Sequence, residues 1–240
     1  MPVLDPVAAY DQIAPLFAEL ARERKAFLEC VERLVISAIP VGSGSLLDVG
    51  TGDGSRARRI ARSRNISELM LLEPAVAMQC GRTDICTMRA EDLHAIDSRF
   101  DVILCLWNVL GHVFPAAARI EALRQFARLL HPHGKAFVDV AHRYNARHYG
   151  VGPTAARFIH DLVAWREETG DVAVGWDFGG NRTTTTGHVF THREIASMCL
   201  SAGLNIERKF VLDYATGQER RWDFEGHLLY VLTPAITSAT

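Results

Sequence analysis

With 240 residues, 48% of them apolar and 22% charged, the chain is long enough for one α/β domain with an insertion and needs no staple to close its core. Its 26 Lys and Arg against 28 Asp and Glu leave a formal charge of −2, which supplies no broad field for drawing in nucleic acid or an anionic membrane. Cys30, Cys80, Cys86, Cys105 and Cys199 form no CxxC pair and read as reduced core residues. No apolar run reaches the roughly 18 residues that span a bilayer and no leader pattern opens the chain, so a cytoplasmic location is expected.

In chain order, residues 16–36 place Leu16, Leu20, Phe27, Leu28, Val31, Leu34 and Val35 at helical spacing, which predicts one amphipathic helix. "IPVGSGS" breaks it. "SLLDVG" then predicts a first buried strand, "SRARRIARS" a helix, "ELMLLE" a second strand, and "PAVAMQC" a helix with Pro74 in its first turn. "ICTMR" predicts a third strand, "FDVILCLWNVL" a fourth, "AAARIEALRQFARLL" a helix stopped by "HPHG", and "KAFVDVA" a fifth strand. That alternation predicts a parallel sheet with helices on both faces. Residues 142–187 hold no clean βα unit, and "DVAVGWDFGGNRTTTTGHVF" predicts a hairpin turning at Gly179, Gly180 and Asn181. "THREIASMCLSAG" predicts a helix opened by a Thr191–Glu194 capping box and stopped at Gly203. "NIERKFVLDY" and "GHLLYVL" read as a closing antiparallel pair.

Chemistry concentrates where the first strand ends, at "LLDVGTGDGS". A glycine turn between strand and helix lets a ligand touch bare main chain. The spacing here is G-x-G-x-G (Gly50, Gly52, Gly54), not the G-x-G-x-x-G of dinucleotide sites, and Asp48 stands beside it. A carboxylate there repels a pyrophosphate and suits a ligand with a positive centre. Glu73, at the end of the second strand, can accept both hydroxyls of a ribose, and "RAEDL" (residues 89–93) can hold an adenine edge. A positive centre, a ribose and an adenine describe S-adenosylmethionine.

These segments resemble the Rossmann-like, class I S-adenosylmethionine-dependent methyltransferases. "LLDVGTGDG" is similar to their first motif, "LLEP" to the second, "RAEDL" to the loop after the third strand, and "FDVILCLWNVLGH" to the fourth. The resemblance implies a mostly parallel seven-stranded sheet with an antiparallel final strand. It implies cofactor contacts from Asp48, Gly50, Thr51, Gly52, Gly54, Glu73, Pro74, Ala90, Glu91, Asp92 and Leu106, with Tyr10 capping the ligand. S-adenosylmethionine would leave as S-adenosylhomocysteine, and no metal is called for. Four parts are expected: a helical cap over 1–39, a cofactor core over 40–141, an insertion over 142–187 covering the acceptor, and a closing helix and strand pair over 188–240.

"LCLWNVLGHV" and "DVAHRYN" further resemble glycine N-methyltransferase-like small-molecule methyltransferases. That resemblance implies an acceptor carboxylate gripped by Asn108 and Arg143; Trp107 and Tyr144, at the ends of the fourth and fifth strands, fall at the same rim and are candidate substrate contacts. His112 and His142 are the candidate bases, and Trp165, Trp176 and Phe178 would suit a planar acceptor. Methyl transfer to nitrogen or oxygen of a small molecule by a monomer or homodimer is the leading expectation. An RNA-modifying enzyme using Arg56, Arg58, Arg59, Arg62 and Arg64, and a non-catalytic S-adenosylmethionine-binding protein, are the alternatives.

Overall fold

The computed structural model describes residues 3–164, 166–178 and 181–235, so Trp165, Gly179 and Gly180 lie outside the described residues. Two helices open the chain where one was expected. α1 (Pro6–Glu23) is capped by the Asp5 side chain with Pro6 in its first turn, and α2 (Lys25–Ala38) begins after a break at Arg24. The apolar periodicity belongs to α2, which buries Phe27, Cys30, Val31, Leu34 and Val35. α1 buries only Ala9 and Ile13, so it lies on the molecule as a cover.

The central sheet contains β1 (Ser45–Val49), β2 (Glu68–Leu72), β3 (Phe100–Cys105), β4 (Leu130–Val140), β7 (Leu204–Leu212), β8 (Glu219–Arg220) and β9 (His227–Pro234). Their order is β2-β1-β3-β4-β9-β7-β8. β2, β1, β3 and β4 pair in parallel, and β9 inserts antiparallel between β4 and β7. The strand count matches the expectation, but "ICTMR" is not one of the seven. It makes one bridge, Cys86 to Leu72, because the chain then leaves the edge of β2 to carry Met88, Arg89 and Ala90 into the crevice. The helix expected at "PAVAMQC" is a single 3₁₀ turn, Val76–Gln79.

Helices cover both faces. α3 (Ser55–Arg64) and α2 close one with Phe27, Leu34, Ala57 and Ile60 against Leu46, Leu104 and Phe137. α4 (Ala116–Leu129) and α7 (His192–Ser201) close the other with Leu123, Phe126, Ile195 and Cys199. α7 carries the expected Thr191–Glu194 capping box. Cys80 and Cys86 are exposed, unlike the three core cysteines.

The 142–187 segment holds two helices the pattern did not announce, α5 (Ala146–Tyr149) and α6 (Val151–Ala164). The hairpin is present as β5 (Asp171–Phe178) and β6 (Asn181–His188), a separate two-stranded sheet tied to Leu4 at Thr185. From β1 the chain passes to β2 on one side and returns to β3 on the other. The crevice outside their carboxyl ends is the switch point where open α/β sheets bind ligands.

Candidate active site

A cavity of about 700 Å³ opens at that switch point. Its floor is the turn after β1. Gly50 sits at φ 74°, and an added Cβ would come within 2.5 Å of the Val109 side chain, so the turn needs glycine there. Glu73 ends β2 and faces the same space. Its carboxylate accepts the amides of Gly52 at 2.9 Å and Ala75 at 3.0 Å, fixing the glycine turn and the chain after β2 to one group. Burial pushes the Glu73 carboxyl upward, against those two amides. Met78, Met88 and Leu106 give this end an apolar slot, and Pro74, Ala90 and Glu91 complete its wall.

α1 and the hairpin roof the middle of the cavity, where Tyr10 and His112 meet. The Tyr10 hydroxyl lies 3.0 Å from His112 Nε2, and His112 Nδ1 lies 3.2 Å from the Thr186 carbonyl oxygen. A carbonyl only accepts, so Nδ1 carries the hydrogen and Nε2 receives the phenol proton. Burial holds the His112 pKa below the ordinary histidine range, with the Thr186 carbonyl pulling the other way. Trp176 of β5 packs edge-on to Tyr10 at 5.5 Å, and both rings line the cavity.

Trp107 and Asn108 leave β3 in the left-handed region, at φ 66° and 58°. That conformation is strained for tryptophan. Both backbone amides donate to the buried Asp139 carboxylate, which holds the turn. Burial raises the Asp139 pKa to about 6, with Arg56 and these amides acting in the opposite direction. Asn108 spends its side chain on structure, accepting Ala141 N at 2.9 Å and donating to the His188 carbonyl at 3.4 Å.

Of the residues singled out in the sequence, Gly50, Thr51, Gly52, Glu73, Pro74, Ala90, Glu91, Leu106, Tyr10, Trp107, Asn108 and His112 line one cavity. Asp48 and Gly54 stand behind the turn, Asp48 fully buried with one oxygen taking the Thr51 hydroxyl at 2.7 Å and the other without a partner among the described residues. Asp92 points outward, exposed. His142, Arg143 and Tyr144 lie off the cavity wall, which alters the expectation for all three. Arg143 forms a buried two-pronged pair with Asp161 at 2.5 and 2.8 Å, and the Tyr144 hydroxyl donates to the same carboxylate at 2.7 Å. That Arg143 fork is therefore already occupied. His142 is buried beside Asp223.

Among the lining residues that sequence reasoning did not mark as ligand contacts are Arg24, Arg56, His148 and Arg157. Arg56 belongs to the arginine run behind the RNA-modifying alternative. In that run, Arg58 pairs with Asp84, Arg59 with Glu32, and Arg64 donates to the Ile39 carbonyl. Tyr214 also lines the cavity, whereas Trp222 is exposed.

A family model described as a methyltransferase domain matches residues 14–209. No curated protein matches the chain in sequence. Among solved structures, the CcbJ methyltransferase from Streptomyces caelestis superposes with a TM-score of 0.70 at 16% identity, covering 95% of this chain and 98% of that one. The sugar N-methyltransferase KedS8 from Streptoalloteichus superposes at 0.57 with 18% identity, covering 90% and 92%. CalS10, an amino pentose methyltransferase from Micromonospora echinaspora solved with bound S-adenosylmethionine, superposes at 0.58 with 16% identity, covering 91% and 96%. The donor set fits that cofactor: a bare glycine turn, one cavity-facing carboxylate at the end of β2 and an apolar slot beyond it. The chain thus belongs to the class I methyltransferases that use S-adenosylmethionine.

Proposed function

We propose that the protein transfers a methyl group to nitrogen or oxygen of a small molecule seated beneath α1 and the β5–β6 hairpin. The roof carries this reading. Tyr10, Trp176 and His112 close over the space in front of Trp107, leaving a volume suited to a small ligand. The descriptions of KedS8 and CalS10 as sugar and amino pentose methyltransferases support a compact acceptor. The arginines that motivated an RNA substrate are largely spent on Asp84, Glu32 and the Ile39 carbonyl.

S-adenosylmethionine supplies an electrophilic methyl group on a sulfonium, so the chain's task is alignment and proton removal. In this reading Glu73 accepts the ribose hydroxyls, Met78 and Met88 hold the adenine, and Trp107 and Leu106 border the path of the methyl group. The acceptor's N–H or O–H meets the Tyr10 hydroxyl, which already donates to His112 Nε2. The acceptor proton passes to Tyr10 Oη as the phenol proton moves to Nε2, and the Thr186 carbonyl steadies the resulting imidazolium. His142 has no part in this relay.

His112→Gln is expected to lower turnover about 10²–10³-fold, the scale of a lost general base, with cofactor affinity unchanged. The wild-type rate should fall only as pH drops below the ordinary histidine pKa of about 6.5, because the shift of His112 is downward. A panel of small amines, amino sugars and phenols, read by mass spectrometry of methylated product, tests the acceptor class. Methylation of a macromolecular fraction with none of the panel turned over would overturn the proposal.

A further inference from the structure

Beyond Trp107, away from the glycine turn, the cavity wall continues as a lobe formed by the α1–α2 junction, α5–α6 and the start of β9. Arg24, His148, Arg157, Tyr214 and His227 line it. Positive charge there goes unanswered. Of the other cavity arginines, Arg59 pairs with Glu32 and Arg89 with Asp5, while Arg56 has the buried carboxylates of Asp48 and Asp139 near it. Arg24 and Arg157 form no ion pair among the described residues. Each lies flat on a tyrosine instead, Arg24 over Tyr214 at 4.6 Å and Arg157 over Tyr149 at 4.3 Å. Nη1 of Arg157 is buried without a hydrogen-bond partner among the described residues.

The neighbouring groups add donors. Tyr214 accepts the Trp107 indole N–H at 3.3 Å, which leaves its own hydroxyl hydrogen for another acceptor. His227 is stacked on Tyr214 at 4.1 Å and is 7% exposed, with no hydrogen bond from its ring among the described residues. Burial, followed by Arg24 and Arg157, lowers the His148 pKa, and all three side chains line the same cavity. Carboxylates near the lobe do not neutralise it. Glu23 is exposed at the mouth, and Asp213, beneath Tyr214, is taken by Arg147 and Arg220 and by the amides of Ala215 and Thr216.

Two planar cations held on aromatic faces, with spare hydroxyl and imidazole donors between them, form a receptor for a carboxylate or phosphate. We infer that this lobe binds an anionic group of the methyl acceptor, a carboxylate or phosphate held by Arg24, Arg157 and the Tyr214 hydroxyl. The inference rests on the small-molecule reading and gives the acceptor a second handle, distinct from the Arg143 pair.

The test is calorimetric titration of the protein saturated with S-adenosylhomocysteine, using benzoate, phenyl phosphate and neutral benzyl alcohol as probes. At least one anion is expected to bind tenfold or more tightly than benzyl alcohol, and the preferred anion identifies carboxylate or phosphate as the group. Arg24→Met and Arg157→Met, which keep apolar stems on the tyrosines, should each weaken that anion tenfold or more while S-adenosylhomocysteine affinity stays within twofold. Equal binding of all three probes by the wild-type protein overturns the inference whatever the variants do. So does a loss of S-adenosylhomocysteine affinity in the variants with anion binding intact, since the lobe would then hold the cofactor's own carboxylate. Failure of the wild-type protein to bind S-adenosylhomocysteine at all would instead strike the methyltransferase reading.

Discussion

Glu73 serves the backbone as well as the ligand, and the two demands bear on the same oxygens. Its carboxylate already accepts the Gly52 and Ala75 amides. A carboxylate oxygen has two lone-pair directions, so each can hold an amide on one side and a ribose hydroxyl on the other. Glu73→Ala should therefore cost about 2–4 kcal/mol of S-adenosylmethionine affinity, at roughly 1.5–3 for each charge-assisted bond less any rescue by water. Glu73→Gln keeps one acceptor oxygen and should lose about half as much. Calorimetry on both variants decides it, and unchanged affinity in the alanine variant would remove Glu73 from the ribose. Asp139 shows a comparable economy. One buried carboxylate holds two residues in the left-handed region, and so sets the direction in which Trp107 leaves β3.

At the scale of elements, α6 is attached in an unusual way. Its outward residues Val151, Phe158, Ile159, Leu162 and Val163 are 77, 49, 62, 71 and 85% exposed. Its inward face carries Asp161 to Arg143 and Tyr144, and Arg157 to the cavity. The Asp161–Arg143 pair is only 3% and 7% exposed, so removing one partner strands a buried charge. Asp161→Ala should cost about 3–5 kcal/mol in urea unfolding, whereas Arg143→Met with Asp161→Leu should fall near the wild type. A small loss for the single variant would show that α6 is held by other contacts. This helix also explains where the sequence was legible. Apolar-inward patterning announced α2, α3, α4, α7 and six of the seven strands of the sheet, β8 (Glu219–Arg220) being the one it did not, and the glycine turn with Glu73 marked the cofactor end of the cavity. In α6 the polarity is inverted: "TAARFIHDLVA" carries an apolar stripe at helical spacing, Phe158, Ile159, Leu162 and Val163, but that stripe faces outward while Asp161 is buried, the reverse of what periodicity assigns. The acceptor side was obscured for the same kind of reason. Whether Arg143 grips a ligand or an internal acid depends on Asp161, eighteen residues away on that inverted helix.

For the molecule as a whole, one rim of the sheet carries both the ligand site and the least comfortable titrating groups. Asp139 and His142 lie at the carboxyl end of β4, and His227 opens the antiparallel β9, which places it at the same end. Burial lowers the His142 pKa to about 4 and the His227 pKa to about 3, the latter with His148, His142 and Arg24 adding repulsion. A histidine depressed in the folded state contributes stability that is complete above its unfolded value near 6.5 and is lost as pH falls toward the folded value. Asp139 works the other way. With its pKa raised to about 6, its contribution is present below about 4 and is lost as pH rises through 6, so acidification restores part of what the histidines remove. Two buried histidines outweigh one carboxyl. The urea midpoint should therefore fall between pH 7 and pH 4.5. Below about pH 4 the loss should continue as Asp161 and Asp213 protonate. Burial raises both carboxyls, but hydrogen bonds from Arg143, Tyr144 and His160 to the first, and from backbone amides and arginines to the second, hold them at about 2. His142→Gln should flatten the upper part of the profile. If the acid-sensitive rim is also the binding rim, S-adenosylhomocysteine at a hundred times its dissociation constant should restore about 2.7 kcal/mol at any pH where it binds only the folded chain. A stability that is flat from pH 7 to 4.5, in the variant and the wild type alike, would show that the buried histidines of this rim are not what acid attacks first.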